Sequence, residues 1–301
     1  MVGSMLRVLT LIIGLVVTST ASALNVFVCQ PEWDSLLQEL AGDKVESTVA
    51  TTAFQDPHRL QARPSLIAAV RQADLIVCTG ADMEIGWLPL LLRRAGNAKV
   101  QDGNPGNFVA ANYVRRVEIP VTIDRAQGDV HPQGNPHIHL NPRNIERVAD
   151  ALAERLINID PSNSAEYQSR LDDFQRRWSD ATEDWEERAI PLEGMRLAAH
   201  HRSFSYLAEW LDLDIVATLE PKPGIPASAA QLATILEQLT PNPPAGVIRT
   251  PYENEKPSHW LSARIDIAEI VLPFTIGGTP GSVDLFSLYD ETIRMLEEHN
   301  R

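Results

Sequence analysis

One uninterrupted helical pattern limits what this chain can fold into. The stretch "AEYQSRLDDFQRRWSDATEDWEER" carries Tyr167, Leu171, Phe174, Trp178, Ala181 and Trp185. Steps of three and four residues put all six on one apolar stripe, on a helix of about six or seven turns. The segments on either side have a different rhythm. Before it, "NVFVC", "EWDSLLQELAG", "VESTVAT", "PSLIAAVRQA" and "DLIVCTG" alternate strand-like and helix-like runs. After it, "MRLAAH", "FSYLAEWL", "DIVATLE", "SAAQLATILEQL", "AGVIRT", "SHWLSARI" and "AEIVLPF" resume the alternation. Repeated βα units imply a parallel sheet covered by helices. A coiled-coil partner helix is the other use of such a stripe. Placed between two βα-rich halves, it reads better as a rigid connector packed on both. The expected fold class is α/β: two βα lobes with parallel sheets, joined by one long rigid helix.

The N-terminus bears on compartment. Met1 to Ala23 holds one charged residue, Arg7, then the apolar run "VLTLIIGLVV" and the small-residue ending "TSTASA". That is the pattern of an export signal, with an apolar run too short to span a bilayer comfortably. The expected organisation is a signal peptide at 1–23, an N-terminal lobe at 24–160, a connecting helix at 161–188 and a C-terminal lobe at 189–301. About 278 residues would remain after cleavage, more than one core usually holds. Losing Arg7 moves the formal net charge from −14 to −15. So acidic a chain repels phosphate backbones, which argues against a nucleic-acid partner.

Export also bears on the two cysteines. Cys29 and Cys78 end the short β-like runs "NVFVC" and "DLIVC". Neighbouring parallel strands would bring their ends about 5 Å apart, within bridging range, and disulfides persist outside the cytoplasm. Two buried free thiols, or a metal site built on both thiolates, are the alternatives.

The chemistry-bearing residues are histidines. Three of the chain's eight fall in "HPQGNPHIHLNP", as His131, His137 and His139. His58, in "QDPHRLQARPS", and His137 are both framed by prolines, which restrict the backbone and suit a side chain held in one orientation. His200 and His201 directly follow "MRLAA". In open α/β sheets ligands bind beyond the carboxyl ends of strands, where these residues fall.

"DPH" followed by "RPS", then "NPHIHLNP", then "HRSFSYLAEW" resemble the histidine signatures of the zinc/manganese cluster of periplasmic solute receptors of ABC importers. The resemblance runs in order through nearly the whole chain after residue 23. It implies metal in the interlobe cleft, held by His58, His137 and His201. Phe204 and Tyr206, three and five residues on, single out His201 rather than His200. The resemblance also implies a carboxylate from a loop after a late strand of the C-terminal lobe. The loop "TIGGTPGSVD" has no acid before Asp284, so Asp284 is the expected fourth ligand. An N-cap role for Asp284, substitution by Glu220, and a water molecule are the alternatives. His139 stands where an aromatic is common and is expected to support the site. His131 resembles the histidine-bearing approach loop of zinc members.

Three imidazoles suit zinc better than manganese. The implied protein is a periplasmic, monomeric zinc receptor that delivers Zn2+ to an ABC permease, with a periplasmic metallochaperone as a further partner. A manganese receptor of the same fold is the main alternative. A zinc hydrolase would need a base-bearing motif such as H-E-x-x-H, which does not occur.

Overall fold

The computed structural model describes residues 23–121, 131–220 and 224–300. The expected signal peptide therefore lies outside the described residues, apart from Ala23. Among the described residues no helix is long and apolar enough to cross a membrane.

The N-terminal lobe is a parallel sheet of β1 (Leu24–Val28), β2 (Val45–Val49), β3 (Leu75–Cys78) and β4 (Asn107–Val109), in the order β2-β1-β3-β4. Helices α1 (Pro31–Ala41), α2 (Pro64–Gln72) and α3 (Leu88–Ala95) make the crossovers. Each of the three has proline in its first turn, where the missing N–H costs nothing. β4 spans three residues, too few for an alternating pattern to show in sequence. The C-terminal lobe repeats the arrangement with β5 (Arg196–Ala199), β6 (Asp214–Thr218), β7 (Gly246–Arg249) and β8 (Ala268–Val271), in the order β6-β5-β7-β8. Its helices are α6 (Ser205–Leu211), α7 (Ala229–Leu239) and α8 (Glu255–Ile265). Each sheet reverses its winding between its first strand and that strand's second neighbour, so each has its crevice at that switch point.

Between the sheets run α4 (Pro142–Ile159) and the 26-residue α5 (Ser164–Ala189). The final helix, α9 (Leu285–Glu297), returns to pack on α5 and α1. The buried stripe of α5 comprises Tyr167, Leu171, Phe174, Trp178, Thr182, Trp185 and Ala189. Ala181, expected on it, is only half-buried. Thr182 takes its place and satisfies its hydroxyl on the Trp178 carbonyl, 2.7 Å away. Trp178 donates to the Pro142 carbonyl at 2.9 Å, Trp185 donates to Asp290 at 2.8 Å, and the Trp185 and Tyr289 rings stack. One hydrophobic cluster thus runs from β1 through α4, α5 and α9 to β5 and β8. At about 1.5–3 kcal/mol for each fully buried large side chain, the stripe makes α5 a structural beam rather than a hinge.

Cys29 and Cys78 form a disulfide, with their Cα atoms 4.8 Å apart. The register pairs Val28 with Val77, so the next residues emerge side by side at the N-terminal crevice. The bridge closes the place where an open sheet would take a ligand. Thr79, Gln30 and Glu84 pack over it in a buried hydrogen-bonded set.

Candidate metal centre

The loops at the carboxyl ends of the strands bring four imidazoles together. His58 comes from the loop between β2 and α2, His131 and His137 from the segment before α4, and His201 from the end of β5. Ring centroids are 5.6 Å apart for His58 and His137, and 5.7 Å for His137 and His201. His131 lies 5.1 Å from His58 and 6.5 Å from His137. Imidazoles on one tetrahedral zinc, with Zn–N of about 2.0–2.1 Å, would have centroids about 5 Å apart. The His58–His137 and His137–His201 separations, 5.6 and 5.7 Å, are somewhat wider than that value.

Each expected ligand has its other ring nitrogen held. His58 Nδ1 is 2.9 Å from Asp56 Oδ1, His137 Nδ1 is 2.7 Å from Asn135 Oδ1, and His201 Nδ1 is 2.9 Å from Glu220 Oε2. An oxygen that can only accept requires Nδ1 to carry the proton, which leaves the Nε2 lone pair for a metal. The Nε2 atoms of His58 and His137 are buried with no hydrogen-bond partner among the described residues. Buried polar atoms are seldom left so, and two such atoms on rings 5.6 Å apart fit a cation.

Local chain geometry explains the placement. Trp87, buried in the N-terminal lobe, donates its Nε1 proton to the Pro57 carbonyl at 2.8 Å and so anchors the residue before His58. Gly86 lies against the His58 carbonyl, where a Cβ would come within 3.1 Å. The Asp56 carboxylate also accepts the backbone N–H of His58 at 3.0 Å. Phe274 packs edge-on against both His137 and His139.

The electrostatics differ across the cluster. Burial, then the neighbouring His58, His201, His131 and His139, hold the His137 pKa well below 6.5. For His201 burial acts in the same sense, but the Glu220 hydrogen bond and the nearby carboxylates outweigh it and raise the pKa. Glu220 is in turn held well below the usual carboxylate range: burial opposes this, and hydrogen bonds to His200 and His201 overcome it.

Asp284 is not brought to the histidines. Its Oδ1 accepts from the Ser287 backbone N–H at 2.7 Å, capping α9, and it lines a separate surface pocket with Asp34, Ser35 and Arg170. Where Asp284 was expected to complete the cluster, its carboxylate in this structure satisfies amides at the start of α9. Glu220 reaches the cleft as an acceptor for His201 and for the Gly224 N–H at 3.0 Å. His139 turns away from the cluster. It is fully buried, donates Nε2–H to the Phe274 carbonyl at 2.8 Å, and faces Glu32 across 3.5 Å. His200 is buried with Nε2 3.7 Å from Glu220. His259 and His299 lie elsewhere, His259 near Glu269 and His299 on the Met295 carbonyl.

Sequence reasoning missed Asp56, Asn135 and Glu253. The first two sit two residues before a histidine, the signal that could have found them. Glu253 lines the same cavity of about 270 Å³, with its pKa raised by burial. Another compact donor group, Cys29, Cys78 and Glu84, has both sulfurs in the disulfide and so offers one carboxyl, which burial holds at about 7.

The family model for the zinc-uptake complex component A, periplasmic (ZnuA), matches residues 26–299. The chain belongs to the ZnuA family. Among its relatives is the manganese ABC transporter substrate-binding lipoprotein PsaA of Streptococcus pneumoniae, 23% identical over 262 residues, covering 85% of this chain and 81% of that protein. The high-affinity zinc uptake system protein ZnuA of Paracoccus denitrificans is 23% identical over 302 residues, covering 88% and 86%. A crystal structure of ZnuA superposes with a TM-score of 0.77 at 23% identity, covering 93% of this chain and 100% of that one. The cadmium-bound periplasmic metal-binding protein of Candidatus Liberibacter asiaticus gives a TM-score of 0.73 at 16% identity, covering 91% and 98%. The ZnuA-family chain is therefore a metal-binding component of the ABC importer type, with relatives named for both zinc and manganese.

Proposed function

We propose that the protein captures Zn2+ in the periplasm and hands it to an ABC permease. The observation that carries this reading is the set of three neighbouring imidazoles whose Nδ1 atoms are all held by oxygen acceptors, with the Nε2 atoms of His58 and His137 buried and without a hydrogen-bond partner among the described residues. His58 and His137 would bind from the N-terminal lobe and His201 from the C-terminal lobe. With Asp284 capping α9 and Glu220 engaged by His201, His131, whose ring lies beside those of His58 and His137, is our candidate for the fourth position.

An all-imidazole set favours zinc over manganese, which prefers oxygen donors. Four neutral ligands leave the ion's two positive charges to be balanced. Asp56 and Glu220, each hydrogen-bonded behind a ligating imidazole, supply two negative charges without occupying coordination sites. This arrangement keeps the donors nitrogen-only and still leaves the bound cleft near neutrality. Residues 1–23 would direct export, and the mature chain would act as a monomer, accepting zinc directly or from a metallochaperone.

The names of the manganese relatives favour the other metal. Competition settles it: chelator-stripped protein is titrated with Zn2+ and Mn2+ separately and together, and bound metal is quantified. Zinc should displace manganese at equal concentration. Tighter binding of manganese overturns the assignment.

A further inference from the structure

Of the three expected ligands, His137 is held by a neutral group, and that group is itself fully committed. Asn135 is buried, 5% exposed. Its Oδ1 accepts both the backbone N–H of His137 at 2.9 Å and the ring Nδ1–H at 2.7 Å. Its Nδ2 donates to Glu118 Oε2 at 3.0 Å and to the Arg202 carbonyl at 2.9 Å. Its backbone N–H donates to the Val117 carbonyl, and its carbonyl accepts the Tyr206 hydroxyl. Both neighbours of Nδ2 are pure acceptors, so the amide has one orientation only, and that orientation dictates which ring nitrogen of His137 bears the proton.

Glu118 completes the device. Its backbone lies in the left-handed region, at φ 53°, unusual for a non-glycine residue and a cost that surrounding contacts must hold in place. The contacts are present: Oε1 accepts from Ser205 Oγ at 3.0 Å, Oε2 accepts from Asn135, and Arg202 stands 3.7 Å away. Ser205 and Arg202 belong to the C-terminal lobe and Arg202 directly follows His201. The chain His137–Asn135–Glu118–Ser205, with the branch from Asn135 to the Arg202 carbonyl, therefore joins a ligand of one lobe to the segment that carries the ligand of the other.

We infer that Asn135, oriented by Glu118, is the positioning residue that sets the tautomer of His137 and its placement relative to His201. The inference rests on the reading of His137 as a zinc ligand. A neutral amide suits this position because it can accept from the ring and from the backbone N–H of His137 while donating to Glu118 and the Arg202 carbonyl, which a carboxylate could not do. The amide fixes the ring without adding charge.

The test uses the full mature chain. In metal-free protein with ¹⁵N-labelled histidine, long-range proton–nitrogen NMR should show His137 as the Nδ1–H tautomer. Asn135→Ala should mix the tautomers and weaken zinc binding about 10–100-fold, the usual effect of removing a group that orients a ligand. Glu118→Ala should move both readouts the same way. Glu118→Gln should restore most of both, because its amide oxygen can accept from Asn135 and its nitrogen can donate to Ser205. A variant that merely loses stability would shift the melting temperature without redistributing the tautomers. An unchanged His137 tautomer in folded Asn135→Ala protein overturns the inference. Full zinc affinity in His137→Ala would instead overturn the ligand reading beneath it, whatever the tautomer result.

Discussion

Glu220 Oε2 lies 2.9 Å from His201 Nδ1 and accepts its proton. The same carboxylate accepts the Gly224 N–H, so it is anchored to the loop after β6 and cannot swing away to become a ligand without giving up both bonds. This pair decides how the site answers to acid.

The His201 pKa is raised above 6.5, so zinc must displace a proton from it at higher pH than from an ordinary imidazole. Affinity should therefore begin to fall as pH drops through that raised value. Glu220→Gln removes the anion that stabilises the imidazolium, and the midpoint should move to lower pH. Affinity at pH 8 should also fall about 10–100-fold from loss of the orienting bond. Chelator competition between pH 5.5 and 8.5 reads both effects, and an unmoved midpoint contradicts the role given to Glu220.

His137 behaves in the opposite sense. Its folded-state pKa lies well below 6.5, so below about pH 6.5 the unfolded chain binds a proton that the native state does not. Stability of the metal-free protein should fall with pH in that window. Urea denaturation at pH 7.5 and 5.5 should show a smaller difference for His137→Gln than for the natural sequence. An equal or larger difference counts against it.

His131→Ala should weaken zinc binding and change the visible spectrum of the cobalt-substituted protein, because a nitrogen donor is replaced by water. An identical spectrum would place His131 outside the coordination sphere.

Asp284→Ala should leave zinc affinity unchanged and lower stability by about 0.5–2 kcal/mol, the cost of losing a helix N-cap. Denaturation and zinc titration of one preparation separate the two effects. A large loss of affinity with unchanged stability would reverse the assignment.

Replacing Cys29 and Cys78 together by serine removes a constraint across 49 residues of sequence separation. The chain-entropy estimate for a loop of that size is about 4 kcal/mol. The melting temperature should drop, while zinc stoichiometry stays at one per chain, since the bridge stands apart from the histidine cluster.

Much of this was legible because it is local. Proline in the first turn of α1, α2 and α3 marks helix starts, and the spacing of Tyr167, Trp178 and Trp185 announces α5. Other features depend on distant partners. Ala181 and Thr182 differ in burial because a real helix turns 100° per residue, so a seven-residue sum does not return to the same azimuth. Asp284 looked available because sequence shows a carboxylate after a glycine-rich loop, but not that Ser287 engages it. The role of Asn135 depends on Glu118 and Arg202, which are distant in sequence and face it only in the folded chain.

The order of residues alone determined the two βα halves, the helix between them, and which histidines sit in proline-framed loops, since these follow from periodicity and backbone restriction along neighbouring positions. Only the tertiary structure decided which side chains meet. It brought His201 to His137 across 64 positions, set His131 beside His58, and sent Asp284 to a helix end. Convergence of that kind is a property of packing: it depends on how two lobes are held by a common core, and no local stretch of sequence encodes it.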